Sequence, residues 1–254
     1  MTFHKLKIKL RQGNALVFRV YLPSMTQCVE KFWLCLSDYE QSQAKGFINN
    51  SLREKYISSH GILRYLLAFC ANTKPQDIKY FFNPFGKPFL ENNLFIQFNM
   101  SHAKDYAVYI IALDSLVGID IEWKDKENNL DDISEIVLNE QELIFFRKLK
   151  AQEKLNAFYS IWTKKEAIIK AIGEGLSYPL KAINVLDSVR NQKVHSSYKT
   201  NEYEFYGSNL YDIADYASAV VFSRKSNVIQ TELNLELFFQ LLNKFIDSKR
   251  VLSN

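Results

Sequence analysis

An order of elements that occurs twice constrains the fold of this chain more than any other feature of its sequence. Two alternating apolar stretches, 5–10 and 15–22, joined by Gln12-Gly13-Asn14, read as a hairpin and lead to a helix start at Ser37-Asp38-Tyr39-Glu40. A long amphipathic helix follows at 52–70, and then come strands at 78–82, 94–98 and 107–113. From 116–123 the order begins again: a strand, a helix start at Asn139 with Glu140 and Glu142, a long helix over 152–172, and strands near 182–187, 203–207 and 217–224. No residue-by-residue self-similarity accompanies the repeat. The expectation is an α+β protein of two similar α/β halves, residues 1–113 and 114–228, with antiparallel sheets each packed against one long helix and a cleft between the halves. The remaining segment, 229–254, has apolar residues at helical spacing (Leu233, Leu237, Leu241) and reads as an amphipathic helix that packs on the body.

Composition narrows the class of function. With 47% hydrophobic and 24% charged residues over 254 positions, the chain is neither disordered nor a membrane bundle. A net charge of +4 is too mild for a nucleic-acid footprint, yet it suits an anionic small molecule or an acidic partner. No G-x-G-x-x-G, G-x-x-x-x-G-K-[ST], G-x-S-x-G or H-E-x-x-H occurs, so dinucleotide, P-loop, serine-hydrolase and zincin chemistry lose their sequence basis together. Cys28, Cys35 and Cys70 form no C-x-x-C and leave an odd thiol, which fits a reduced, cytoplasmic chain. No apolar run is long enough for a signal h-region or a membrane span.

Four segments can carry chemistry. In Val117-Gly118-Ile119-Asp120-Ile121-Glu122 the alternation sends both carboxylates to one face of a strand. Taken singly, such a pair is more often a solvated strand face. On the long helix Trp162, Glu166 and Lys170 recur every four residues and share a side, which alone describes an ordinary surface Glu-to-Lys pair, and Gly173 and Gly175 end that helix. Lys165 falls in the middle of the apolar stripe of Phe158, Ile161, Ile169 and Ile172, so a structural role is expected of it. Oxygen donors from Asp120, Glu122 and Glu166 suit Mg²⁺, which takes a few carboxylates and leaves room for water and phosphate, and Lys170 would neutralise phosphate charge that the metal does not reach. Phe85-Gly86-Lys87-Pro88 is a turn able to flank a flat base, and Ser101-His102 closes a strand where a hydroxyl and an imidazole can clasp a phosphate.

The order and spacing of these four segments, Phe85-Gly86-Lys87-Pro88, Phe98-Asn99-Met100-Ser101-His102, Gly118-x-Asp120-x-Glu122 and Trp162-x-x-x-Glu166-Ala167-x-x-Lys170-x-x-Gly173-x-Gly175, resemble the Sfp-type 4'-phosphopantetheinyl transferases. The resemblance implies a monomer of two halves related by a pseudo-twofold axis, binding coenzyme A between them with Mg²⁺ on its pyrophosphate. It implies transfer of the 4'-phosphopantetheine group to a serine of an apo acyl or peptidyl carrier protein, releasing adenosine 3',5'-bisphosphate, with neither nucleic acid nor membrane as partner. Carried over position by position, Asp120, Glu122 and Glu166 are the metal acids, Glu166 is also the base for the serine, and Lys170 holds the phosphate. Ser101 and His102 meet the 3'-phosphate, and Lys87 with Pro88 borders the adenine. The basic residues that the family brings to the 3'-phosphate from its first helical region are thinly represented, leaving Lys45, Arg53 and Lys55 as candidates. A non-catalytic coenzyme A or carrier-binding module of the same fold is the alternative, and the full set of metal acids speaks against it.

Overall fold

A computed structural model describes residues 10–186, 193–198, 201–210 and 213–251. Strand β1 (Asn14–Tyr21) is followed by a short helix α1 (Val29–Trp33), by α2 (Asp38–Lys45) and by the 22-residue α3 (Asn50–Ala71). A small hairpin of β2 (Tyr80–Phe82) and β3 (Pro88–Leu90) precedes β4 (Ile96–Ala103) and β5 (Tyr106–Leu113). The second half runs β6 (Val117–Trp123), α4 (Leu130–Val137), α5 (Glu140–Arg147), the 22-residue α6 (Ala151–Ile172), β7 (Ile183–Asn184), β8 (Lys193–Tyr198), β9 (Asn201–Asn209) and β10 (Tyr216–Phe222). Strand β11 (Asn227–Glu232) and helix α7 (Leu235–Val251) follow.

The sheets have the orders β11-β1-β5-β4 and β6-β10-β9-β8-β7. In each half the first strand lies antiparallel beside the last, β1 on β5 and β6 on β10, and the next neighbour out, β4 or β9, is again antiparallel. The sheets meet face to face. Ala15, Val17, Ile110 and Ala112 of one interlock with Val117, Ile119, Ile121 and Val220 of the other, all fully or almost fully buried. Alternation in β6 is what permits this, since the same strand turns Gly118, Asp120 and Glu122 toward α6. Helices α3 and α6 cover the outer faces, giving helix, sheet, sheet, helix. Each fully buried aliphatic side chain contributes about 1.5–3 kcal/mol, so the central seam holds the halves in fixed register.

The repeat extends to individual side chains. Ser37 caps α2 while Glu40 reaches back to the Ser37 N–H, and Asn139 with Glu142 does the same at α5. Both glutamates then pair with a cation buried on the following long helix, Glu40 with Arg64 at 2.7 Å and Glu142 with Lys165 at 2.5 Å. Arg64 and Lys165 stand at the same distance from the starts of α3 and α6, and each also donates to two backbone carbonyls, of Pro75 and Ile78 or of Val137 and Leu180. Both long helices end on a left-handed residue, Asn72 and Gly173. The structural role expected of Lys165 is thereby met.

Three features differ from the sequence reading. Residues 5–9 of the expected opening hairpin, and residue 187 of a later strand, lie outside the described residues. The final segment is not helical throughout: residues 227–232 form β11, which runs parallel to β1, and the helix starts at Leu235 under an Asn234 cap. Val228 faces the inter-sheet core and Ile229 the α3 side, a period of two that selects strand, while Leu237, Phe238 and Leu241 bury against the first half. Elements α1, α4, β3, β8 and β11 were not anticipated.

Candidate active site

The site forms where β4, β6 and α6 converge. Gly118 allows the convergence, because a Cβ there would overlap the Ala167 carbonyl oxygen of α6. Strand and helix therefore approach closely enough for Asp120 to meet the last turn of α6. Lys170 Nζ lies 2.6 Å from Asp120 Oδ1 and 2.8 Å from Ser101 Oγ, and that hydroxyl donates to the same carboxylate oxygen at 2.9 Å. Asn99, on the same face of β4, accepts from the Ile119 N–H and fixes β4 against β6.

Asp120 is almost fully buried, and its second oxygen, Oδ2, has no hydrogen-bond partner among the described residues. An orphaned carboxylate oxygen costs about 1–3 kcal/mol or more unless another group satisfies it. Glu122, two residues along the same face, has its carboxyl pushed up to about 7 by burial and by the charge of Asp120; Lys170 opposes the shift, Glu166 adds to it, and the Trp162 indole N–H opposes it. Burial and Asp120 raise Glu166 as well, against Lys170. Three acids thus gather with one ammonium to balance them. This donor set is all hard oxygen, as a divalent cation such as Mg²⁺ requires. Among the described residues no three such side chains stand close enough together to hold a metal ion by themselves, and Mg²⁺ takes the rest of its ligands from water and phosphate. At the helix positions matching Glu166 and Lys170, the first half carries Tyr65 and Phe69 in its core, so its copy of the fold holds no such chemistry there.

On the other side of β4 opens a cavity of about 460 Å³, bordered by Tyr56 and His60 of α3, Tyr80, Phe82, Pro88 and Met100. His102 presents an exposed edge at the end of β4; the surrounding protein, then the Lys170 and Lys55 ammoniums, hold its imidazole below the usual range. Lys55 pairs with Asp105 at 2.7 Å. Of the three basic candidates, Lys55 is therefore the one whose charge His102 senses. The Arg53 guanidinium donates to the Phe47 carbonyl, and the exposed Lys45 sets its ammonium over the Trp33 ring, 5.6 Å from its centre. Lys87 is buried, and its ammonium donates to the Ala171 carbonyl at 2.7 Å. Asp120, Glu122, Glu166, Lys170 and Ser101 are thus brought together, Pro88 borders the adjoining cavity, His102 stands at the end of β4 outside its lining, and Lys45 and the Lys87 ammonium point elsewhere. Tyr56 and His60, stacked ring on ring at 3.9 Å, were not singled out from sequence; their spacing of four on α3 was the available signal.

Among the described residues no helix is long and apolar enough to cross a membrane. The family model described as the 4'-phosphopantetheinyl transferase superfamily matches residues 116–221, which contain β6, α6 and all but the last residue of β10. The 4'-phosphopantetheinyl transferase gsp of Aneurinibacillus migulanus is 29% identical over 219 residues, covering 84% of this chain and 87% of that protein. HetI of Nostoc sp. is 26% identical over 164 residues (63% and 69% covered), and Sfp of Bacillus subtilis is 26% identical over 172 residues (66% and 75%); both are named 4'-phosphopantetheinyl transferases. The similarity to these 4'-phosphopantetheinyl transferases spreads over both sheets and takes in all four site segments, and the family model falls on the second half of the chain.

Proposed function

We propose that this enzyme transfers the 4'-phosphopantetheine group of coenzyme A to a serine of an apo acyl or peptidyl carrier protein. The observation that carries the reading is the Lys170, Asp120 and Ser101 contact set with Glu122 and Glu166 beside it, drawn from both halves. Asp120, Glu122 and Glu166 would hold Mg²⁺, which when bound supplies charge neutralisation to the diphosphate of the cofactor. Asp120 Oδ2, buried without a partner, supports that assignment.

The remaining steps fall to the side chains of this chain. Glu166, whose proton affinity is raised, takes the proton of the serine hydroxyl as its oxygen attacks the phosphorus attached to pantetheine. The bond from that phosphorus to the bridging oxygen breaks, and adenosine 3',5'-bisphosphate leaves with the bond electrons. Lys170 stabilises the charge that develops on the phosphoryl oxygens and the leaving group. The aromatic cavity beside Pro88 would take the adenine, and His102, whose imidazole feels the Lys55 charge, would with Lys55 meet the 3'-phosphate. Most of the rate then comes from positioning and charge complementarity. A binding module without catalysis would have no use for a cluster of three mutually repelling acids.

The test is mass spectrometry of several apo carrier proteins incubated with the protein, coenzyme A and Mg²⁺, with and without excess EDTA. Addition of one phosphopantetheine group, abolished by EDTA and restored by Mg²⁺, is expected. No mass change on any carrier overturns the reading, and undiminished transfer in EDTA overturns the metal assignment.

A further inference from the structure

We infer that Lys87 is a positioning residue which, with Asn83, latches the end of α6 and thereby sets Lys170 and Glu166. A helix ends on carbonyls that lack intrahelical partners, and its last turn frays unless they are satisfied. At the end of α6 those partners come from the loop between β2 and β3, in the other half. Lys87 Nζ donates to the Ala171 carbonyl at 2.7 Å, and Asn83 Nδ2 donates to the Gly173 carbonyl at 2.8 Å. The loop is itself braced: Asn83 Oδ1 accepts from the N–H groups of Phe85 and Lys87, and the Asn83 N–H donates to the Lys87 carbonyl at 3.0 Å.

Two further observations show that this is a fitted joint. Gly173 is left-handed at φ +85°, and a Cβ there would lie 2.7 Å from Lys87 Cδ and 3.1 Å from Asn83 Nδ2, so the Lys87 stem passes where a side chain would otherwise stand. The Lys87 ammonium is also taken out of water, burial lowering it to about 8, and the partial negative charge at the helix terminus compensates. The latched carbonyl belongs to the residue next to Lys170, whose ammonium must hold 2.6 Å from Asp120. Glu166 lies one turn earlier. The latch therefore bears on the reacting groups through α6 and makes no contact with them.

The test uses the full chain and two readouts, and its kinetic half rests on the transfer function proposed above; wild-type transfer under the same conditions isolates the latch from that reading. Lys87→Met is expected to speed amide exchange in peptides covering 165–175 about tenfold, with α3 peptides unchanged. It is also expected to lower kcat at least tenfold while KM for coenzyme A moves less than about threefold. Gly173→Ala, which displaces the Lys87 stem, is expected to give the same split. Should Lys87→Met fail to fold, Asn83→Ala removes half of the latch and keeps the cation, and the same pattern at smaller size is expected. A rise in KM with kcat kept, or faster exchange with kcat unchanged, overturns the proposal.

Discussion

Lys170 Nζ lies 2.6 Å from Asp120 Oδ1, joining the last turn of the long helix of the second half to the strand at the seam between the sheets. The pair is shared with Ser101 of the first half, so the proposed chemistry and the packing between the halves depend on the same few atoms. On that proposal a substrate phosphate engaging Lys170 would compete with Asp120 for it and free a carboxylate oxygen for a cation.

Glu166→Gln keeps shape and removes both a proton acceptor and a negative charge. Turnover should fall by about 10²–10⁴, the usual worth of a positioned base. The melting temperature should hold or rise, because a like-charged neighbour of Asp120 is gone. Activity within a few fold of wild type would reduce Glu166 to a surface partner of Lys170.

His102→Ala and Lys55→Met should each raise KM for coenzyme A about ten- to a hundredfold and keep kcat, as loss of a charged contact worth roughly 1.5–3 kcal/mol requires. The loss should be much smaller with 3'-dephospho-coenzyme A. Equal losses with both cofactors would move these side chains away from the 3'-phosphate.

Glu122 carries a pH signature. Its carboxyl is raised from 4.5 to about 7, so between those values the folded state holds a proton that the unfolded state has released. Stability from this group is intact below pH about 4.5, falls as pH rises, and is fully lost above about 7. In EDTA, Glu122→Gln should therefore melt higher than wild type at pH 8, and the gap should close by pH 4.5. A gap independent of pH in thermal melts would rule out the raised carboxyl.

Gly118→Ala forces β6 away from α6, because the new methyl meets the Ala167 carbonyl. A loss of roughly 3 kcal/mol, or about 6–12 °C in Tm, is expected, together with reduced transfer as Asp120 shifts from Lys170. Unchanged melting would mean that strand and helix yield at that point.

The long helices, their capped approaches and the alternation in β6 were legible because each is a local pattern whose period is set by backbone geometry. Asp120, Glu122, Glu166 and Lys170 could be placed on faces for the same reason. The side-chain repeat was not legible: Arg64 and Lys165, Ser37 and Asn139, and Asn72 and Gly173 play matching parts with different chemistry, so identity conceals equivalence. Nor does a sequence tell which way a lysine turns. Lys87 lies in the turn Phe85-Gly86-Lys87-Pro88 and reads as a neighbour of the adenine, whereas the end of α6, 84 residues away, draws its ammonium inward. Strand β11 escaped notice because its partner, β1, lies at the far end of the chain.

That parallel pairing of β11 with β1 sets an order of events during synthesis. Arg19 and Glu232, ion-paired across it, are 213 residues apart, and Leu233, Phe238 and Leu241 fill the core of the half made first. A nascent chain that has emerged only as far as β10 therefore exposes an open edge on β1 and an unfilled apolar face under α3. Contacts of such long range form late, and an open edge invites pairing with a neighbouring chain. Until β11 and α7 have emerged, the sheet of the first half therefore lacks one edge strand and its core lacks the side chains of α7.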